Sequence, residues 1–191
     1  DTGVLNRIHT ALDSTDILAM VVVKDDRIVD EYYKDGYDET SVFRLYSCSK
    51  SVTSALMGIA IDKGLIDGVD VPVSAYFPQA AQGRSDGFDR ITIRHLLTHT
   101  SGIDASDTND WGAWINSDNW VDFVLNRPVA FEPGTVFQYF TGGSHLLAAI
   151  IQEAADRTLY EFGKEYLFDP LGMDSVECGT DAQGVSDGGN G

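Results

Sequence analysis

The chain has 191 residues, 43% of them hydrophobic, enough for one globular domain with a core or for most of a larger one. Acidic residues outnumber basic ones 30 to 13, and a net charge of −17 repels phosphate backbones, which excludes nucleic acid as a partner. The longest apolar runs, 17–23 and 146–151, fall far short of the roughly 20 residues that cross a bilayer, so no membrane span is expected.

Leu5, Ile8 and Leu12 are spaced as one face of a short N-terminal helix. Ile17 to Lys24 and Arg27 to Tyr33 then read as two strands joined at Asp25-Asp26, a hairpin signal. Val21-Val22-Val23 is apolar without alternation, which predicts a strand covered on both faces. The strongest helix follows: Val52, Ala55, Leu56, Ile59 and Ala60 recur at i, i+3, i+4, i+7 and i+8, and Gly64 closes it. Leu65 to Pro78 reads as a loop with short turns. Thr92 caps a helix over Ile93 to Leu97, and Gly102 to Asp110 is polar and loop-like. Asp118 is the expected cap of a helix through Val121, Val124 and Leu125 that stops before Pro128. Glu132-Pro133-Gly134 is a turn, a helix runs from about Ser144 to Ala155, and Thr158 with Glu161 forms a capping box. The tail 179–191 is Gly-rich and irregular. There is no internal repeat and no clear linker.

Asp far exceeds Glu (23 to 7) and Lys is scarce (5), which fits either a solubilising surface or adaptation to salt, where screening relieves self-repulsion. Cys48 and Cys178 are expected to be free thiols, since Cys48 falls inside a helix. They leave the redox compartment open. A periplasmic or secreted location is the expected one, with a cytoplasmic one as the alternative.

Ser47-Cys48-Ser49-Lys50 is an S-x-x-K motif, and at i and i+3 on a helix the Ser and Lys side chains share one side. A serine hydroxyl attacks only when a neighbouring base takes its proton, and a lysine serves as that base once burial or nearby positive charge favours its neutral form. The bland alternative is a capping Ser beside a solvated Lys. Ser49, adjacent to Lys50, faces elsewhere. His95 and His99 at i, i+4 have the spacing of a zinc pair, but no H-E-x-x-H pattern or third ligand accompanies them. Ser101 fixes a turn. Trp111, Trp114 and Trp120 are packing residues, with a place in an acyl pocket left open for one or two of them.

Four segments carry a resemblance: FRLYSCSKSVTSAL (43–56), HLLTHTSG (95–102), PGTVFQYFTGGSHLL (133–147) and FDPLGM (168–173). In this order they resemble class C-like β-lactamases and their penicillin-binding, esterase and amidase relatives. The resemblance implies an α+β fold of β-lactamase/transpeptidase type, with an antiparallel sheet flanked by helices and a helical region. It implies Ser47 as nucleophile, Lys50 as base and Tyr139 as proton relay. Thr141 stands where Asn or Ser is commoner and is the substrate-binding candidate. Its hydroxyl lacks an amide donor, so strong β-lactamase activity is not expected. The histidines become structural, and neither metal nor cofactor is implied.

The family's third motif, Lys-Thr-Gly or a variant on a strand beside the nucleophile, does not occur in the chain. In the family that strand supplies the second oxyanion donor. A two-stranded ribbon is also marginal alone. The 191 residues therefore read as a single hydrolase domain incomplete at its C-terminus, whose partner is a C-terminal segment of the same protein. The expected activity is hydrolysis of a small ester or amide through an acyl-enzyme on Ser47. The alternatives are a D-alanyl-peptidase or β-lactamase, or a non-catalytic binding or regulatory protein of the same fold.

Overall fold

The structure, a computed structural model, describes residues 2–105 and 110–190. Its helices are α1 (Thr2–Leu12), α2 (Ser49–Asp62), α3 (Pro78–Ala81), α4 (Ile93–Leu97), α5 (Asp110–Ile115), α6 (Trp120–Leu125), α7 (Thr141–Ala155) and α8 (Leu159–Gly163), and its two strands are β1 (Ala19–Lys24) and β2 (Arg27–Tyr33). The chain divides into two compact units, 1–43 and 44–191.

In the first unit β1 and β2 pair antiparallel, from Ala19 opposite Tyr33 to Lys24 opposite Arg27, with an irregularity between Val22 and Val23. Asp25 and Asp26 both take positive φ (51° and 58°), the backbone that a tight two-residue hairpin turn requires. The α1 face differs from the expected one. Ile8 is exposed, while Leu5, His9 and Leu12 are the partly buried positions. His9 is drawn in because its Nε2 lies 2.9 Å from Asp30 on β2, and Tyr32 donates to Asp13 at 3.0 Å. The expectation that Val21 to Val23 is covered on both faces fails: Val21 is 48% and Val23 62% exposed. Among the described residues the sheet is β1 and β2 alone, and these valines lie on its uncovered face.

The second unit is built around α7, in which every residue from Gly142 to Ile151 is buried. The helix is apolar nearly all round because α2, α4, α6 and α8 pack against it. Helix α2, which follows Ser47, thus has firm support. Of the expected stripe Val52, Ala55, Leu56, Ile59 and Ala60, Leu56 and Ala60 are buried, Val52 and Ile59 are half-buried against the core, and Ala55 alone is exposed, while Thr53 and Met57 join the buried face. Thr53 can be buried there because its hydroxyl donates to Gly188 O.

The capping signals mostly hold. Thr92 accepts from His95 N and His95 Nδ1 accepts from Thr92 N, a reciprocal box. Thr158 and Glu161 form the expected box on α8. The cap of α6 is Asn119, whose Oδ1 accepts from Asp122 N at 2.9 Å, not Asp118. Helix α7 begins three residues earlier than expected. Residues 106–109 of the expected 102–110 loop and the Trp111 side chain lie outside the described residues. Trp114 and Trp120 pack on each other at 5.0 Å between ring centroids, in keeping with packing roles.

Candidate active site

The S-x-x-K segment enters α2 through one 3-10 turn, Tyr46–Cys48. Tyr46, immediately before Ser47, has φ +49°, a left-handed backbone that is strained for an aromatic residue. Two contacts hold it there. Ser49 Oγ donates to Tyr46 O at 2.7 Å, and the Arg44 guanidinium lies 4.8 Å from the Tyr46 ring centroid. Ser49 is therefore buried and occupied, while Ser47 is left exposed at the surface. Cys48 is exposed rather than buried, and both cysteines are free.

Lys50 Nζ lies 3.0 Å from Ser47 Oγ, the approach that the i, i+3 spacing predicts. It also donates to Gly189 O at 2.5 Å and stands 4.9 Å from the Tyr139 ring centroid. Burial works to raise the Tyr139 phenol. Hydrogen bonding with Ser47 and Lys50, together with the charge of Lys50, outweighs it and holds the phenol below the usual tyrosine value. Ser47, Lys50 and Tyr139 thus form one contiguous polar unit, and the structure brings together all three residues singled out from the sequence.

The H-T-S-G segment sets where Tyr139 stands. His99 O accepts from Gln138 N, Thr100 O from Gly134 N, and Gly102 O from Ala130 N and Phe131 N. These four bonds clamp 130–138 alongside the segment. Gly102 is required there: its φ is +76°, and a Cβ would meet Phe131 O at 2.1 Å. Ser101 Oγ accepts from Ile103 N at 3.3 Å, the expected turn role. The His99 ring lies 4.7 Å from that of Tyr139, and its Nδ1 accepts from Phe140 N at 3.2 Å. Burial, with Lys50 nearby, lowers the His99 imidazole. His95 caps α4 while His99 braces the tyrosine, so the two serve separate local jobs. Among the described residues no cluster of three or more His, Cys, Asp and Glu side chains could hold a metal.

The remaining wall of the site comes from the tail, where sequence reading saw only irregularity. Gly188 O accepts from buried Thr53 Oγ1 at 2.7 Å, and Gly189 O accepts from Lys50. Both glycines lie flat on α7. A Cβ on Gly188 would meet Ser144 O at 2.5 Å, and one on Gly189 would meet Thr141 Cγ2 at 3.0 Å and Lys50 Nζ at 3.4 Å. Thr141, the first residue of α7, therefore borders this wall, with its methyl turned towards Gly189. The paired glycines were the available signal, since consecutive Gly marks close backbone approach.

The beta-lactamase family model matches residues 7–188. The chain belongs to the β-lactamase family. It is 31% identical over 149 residues to penicillin-binding protein 4* of Bacillus subtilis, covering 71% of this chain and 30% of that protein. It is 27% identical over 160 residues to esterase EstB of Burkholderia gladioli, covering 74% of this chain and 39% of that one. Among solved structures it is similar to EstCE1, a hydrolase with promiscuous acyltransferase activity, with a TM-score of 0.73 at 21% identity over 97% of this chain and 55% of that one. The fold is thus of β-lactamase/transpeptidase type, α+β in class. The chain spans roughly a third of the length of these two curated relatives.

Proposed function

We propose that this chain carries the nucleophile, base and relay of a serine hydrolase that cleaves ester or small amide bonds through an acyl-enzyme on Ser47. The observation that carries the reading is the 3.0 Å approach of Lys50 Nζ to Ser47 Oγ, with the Tyr139 ring centroid 4.9 Å from the same nitrogen. Ser47 Oγ attacks the substrate carbonyl carbon while its proton passes to Lys50, forming the Oγ–carbon bond and a tetrahedral oxyanion. As that oxyanion collapses, the bond to the alcohol or amine breaks, and the leaving group takes the proton through the Tyr139 hydroxyl. Water then attacks the acyl carbon and releases the acid by the reverse relay. Thr141, at the start of α7 beside Gly189, is the substrate-facing residue in this reading. A lowered Tyr139 phenol supports the relay, since a tyrosine nearer its charged form gives and takes a proton more readily.

Esters and short amides are favoured over β-lactams because Thr141 supplies no amide donor for a lactam side chain. The name of the EstB relative supports the ester class. The domain is read as one unit with a C-terminal segment of the same protein, which supplies a second oxyanion donor beside the Ser47 N–H. The test is labelling of the full-length protein with a fluorophosphonate. Ser47→Ala abolishes labelling and Ser49→Ala does not. Labelling that persists in Ser47→Ala removes the assignment. A panel of p-nitrophenyl esters, nitrocefin and D-alanyl peptides then assigns the substrate class.

A further inference from the structure

A buried polar pair lies outside the reacting unit. His145, in the second turn of α7, is fully buried, and its Nε2 lies 3.1 Å from Asp181 Oδ2, whose side chain is equally inaccessible. The Trp114 and Trp120 rings stand edge-on to the imidazole at 5.8 and 5.3 Å. Among the described residues His145 Nδ1 has no hydrogen-bond partner, and the Asp181 carboxylate only accepts, so Nε2–H is the donor to Asp181. A well-packed apolar side chain would fill this place at least as stably. What the pair adds is a fixed location for Asp181.

Asp181 organises everything that follows it. Its Oδ1 accepts from the N–H groups of Gln183 and Val185 at 2.9 Å each, and its own N–H donates to Val185 O at 2.9 Å. Thr180 then bridges to Ser186, and Asp187 N returns to Gly179 O at 2.8 Å. Asp187 Oδ1 finally accepts from Gly189 N and Asn190 N at 3.0 Å each. Segment 179–190 is one bonded hook, pinned to α7 at His145 and ending with Gly189 O on Lys50.

That end matters chemically. A carbonyl oxygen only accepts, so Gly189 O takes an N–H of Lys50 in either charge state. A neutral amine has two N–H bonds and one lone pair. Tying one N–H to Gly189 O fixes the rotation of the amine and leaves the other N–H and the lone pair to be shared with Ser47 Oγ, from which the proton must arrive. We infer that His145 and Asp181 are positioning residues for the acylation step: their bond holds segment 179–190 so that Gly189 O orients the Lys50 amine towards Ser47. The inference rests on the proposed base role of Lys50.

The test measures fluorophosphonate labelling of the full-length protein, resolved into the limiting rate kinact and the half-saturating concentration KI. His145→Leu keeps the bulk and removes the bond, whereas His145→Gln restores a donor near the Nε2 position. Misorientation of a catalytic group costs about 10- to 100-fold, so kinact falls by that factor in His145→Leu with KI unchanged, and returns to near wild type in His145→Gln. A folded His145→Leu that labels like wild type overturns the inference, as does a His145→Gln equally slowed, which would make the effect one of packing. Gly189→Ala acts at the far end of the hook and leaves the buried pair alone, so it decides the matter should His145→Leu not fold. It lowers kinact likewise, and wild-type kinact would overturn the inference. With His145→Leu it costs no more than the worse single change, because both act on one carbonyl, whereas fully multiplicative losses would overturn the shared route. Lys50→Ala run in parallel separates the two levels: near-wild-type labelling there defeats the base reading itself, whatever the His145 variants do.

Discussion

Gly188→Ala is a small change at a place where the structure leaves no room. The new methyl would sit 2.5 Å from Ser144 O and 2.7 Å from Ala148 Cβ, both on the buried side of α7. Carbon contacts are comfortable near about 3.5–4.0 Å, so helix and segment must separate by roughly 1 Å. Overpacking of this kind costs about 1–3 kcal/mol. The same displacement breaks the 2.7 Å bond from Thr53 Oγ1 to Gly188 O, leaving a buried hydroxyl unpaired at a further cost of about 1–3 kcal/mol. At roughly 2–4 °C per kcal/mol for a chain of this length, the melting temperature drops by at least about 4 °C. Fluorophosphonate labelling slows as well, because Gly189 O moves with Gly188. Gly58→Ala is the matched control. It lies inside α2 with nothing within 4 Å of the new Cβ, so it stabilises by about 0.5–1 kcal/mol. Thermal melts and labelling of both variants in the full-length protein check this. A Gly188→Ala protein with the melting temperature and labelling rate of wild type would refute the close-approach reasoning.

Tyr139→Phe removes the relay oxygen and keeps the ring. Turnover of a p-nitrophenyl ester falls by about 10²-fold or more with KM little changed, and a loss confined to KM would reassign Tyr139 to substrate binding. Burial holds His145 below the ordinary imidazole value against the opposing pull of Asp181 and Asp187, and burial with Lys50 does the same for His99. As pH falls below about 6.5 the unfolded chain therefore takes up protons that the folded chain does not, so the melting temperature declines between about pH 7 and pH 5. The lowered carboxylates Asp38, Asp70 and Asp86, the last at about 2, lose stabilisation only at lower pH, and His145→Gln makes the decline shallower. A flat profile over that window contradicts a neutral His145 and His99 in the folded chain. With a net charge of −17, raising NaCl from low ionic strength to molar concentration raises the melting temperature by screening self-repulsion, and an unchanged or lower value leaves only a solubilising role for the acidic surface.

Much of the site was legible because its chemistry is local. Ser47 and Lys50 are one helical turn apart, so backbone geometry alone carries Nζ to within 3.0 Å of Oγ. The cap at Thr92, the capping box at Thr158 and the turn at Asp25-Asp26 likewise depend on residues one to three positions apart. Where two local solutions were equivalent, the sequence reading had no means to choose. Asp118 and Asn119 are both good caps, and the one selected is the one placed to meet Asp122 N. On α2 four of the five expected positions face the core and Ala55 alone does not, while Thr53, a polar residue that hydrophobic spacing passes over, is buried because Gly188 O accepts its hydroxyl.

By itself the sequence determined the family, the pairing of Ser47 with Lys50 across one turn, the hairpin, the main helices and the net negative charge, since each is written in contiguous residues or in composition. Tertiary structure alone decided the rest. It sets Tyr139 against a lysine far away in the chain, through a clamp built by His99 to Gly102. It turns a Gly-rich tail into a wall of the site, through a histidine on α7 and two buried aspartates. Hydrogen bonds between residues 36 and 139 positions apart leave no period or spacing in a sequence, because their geometry exists only once α2, α7 and the tail have packed together.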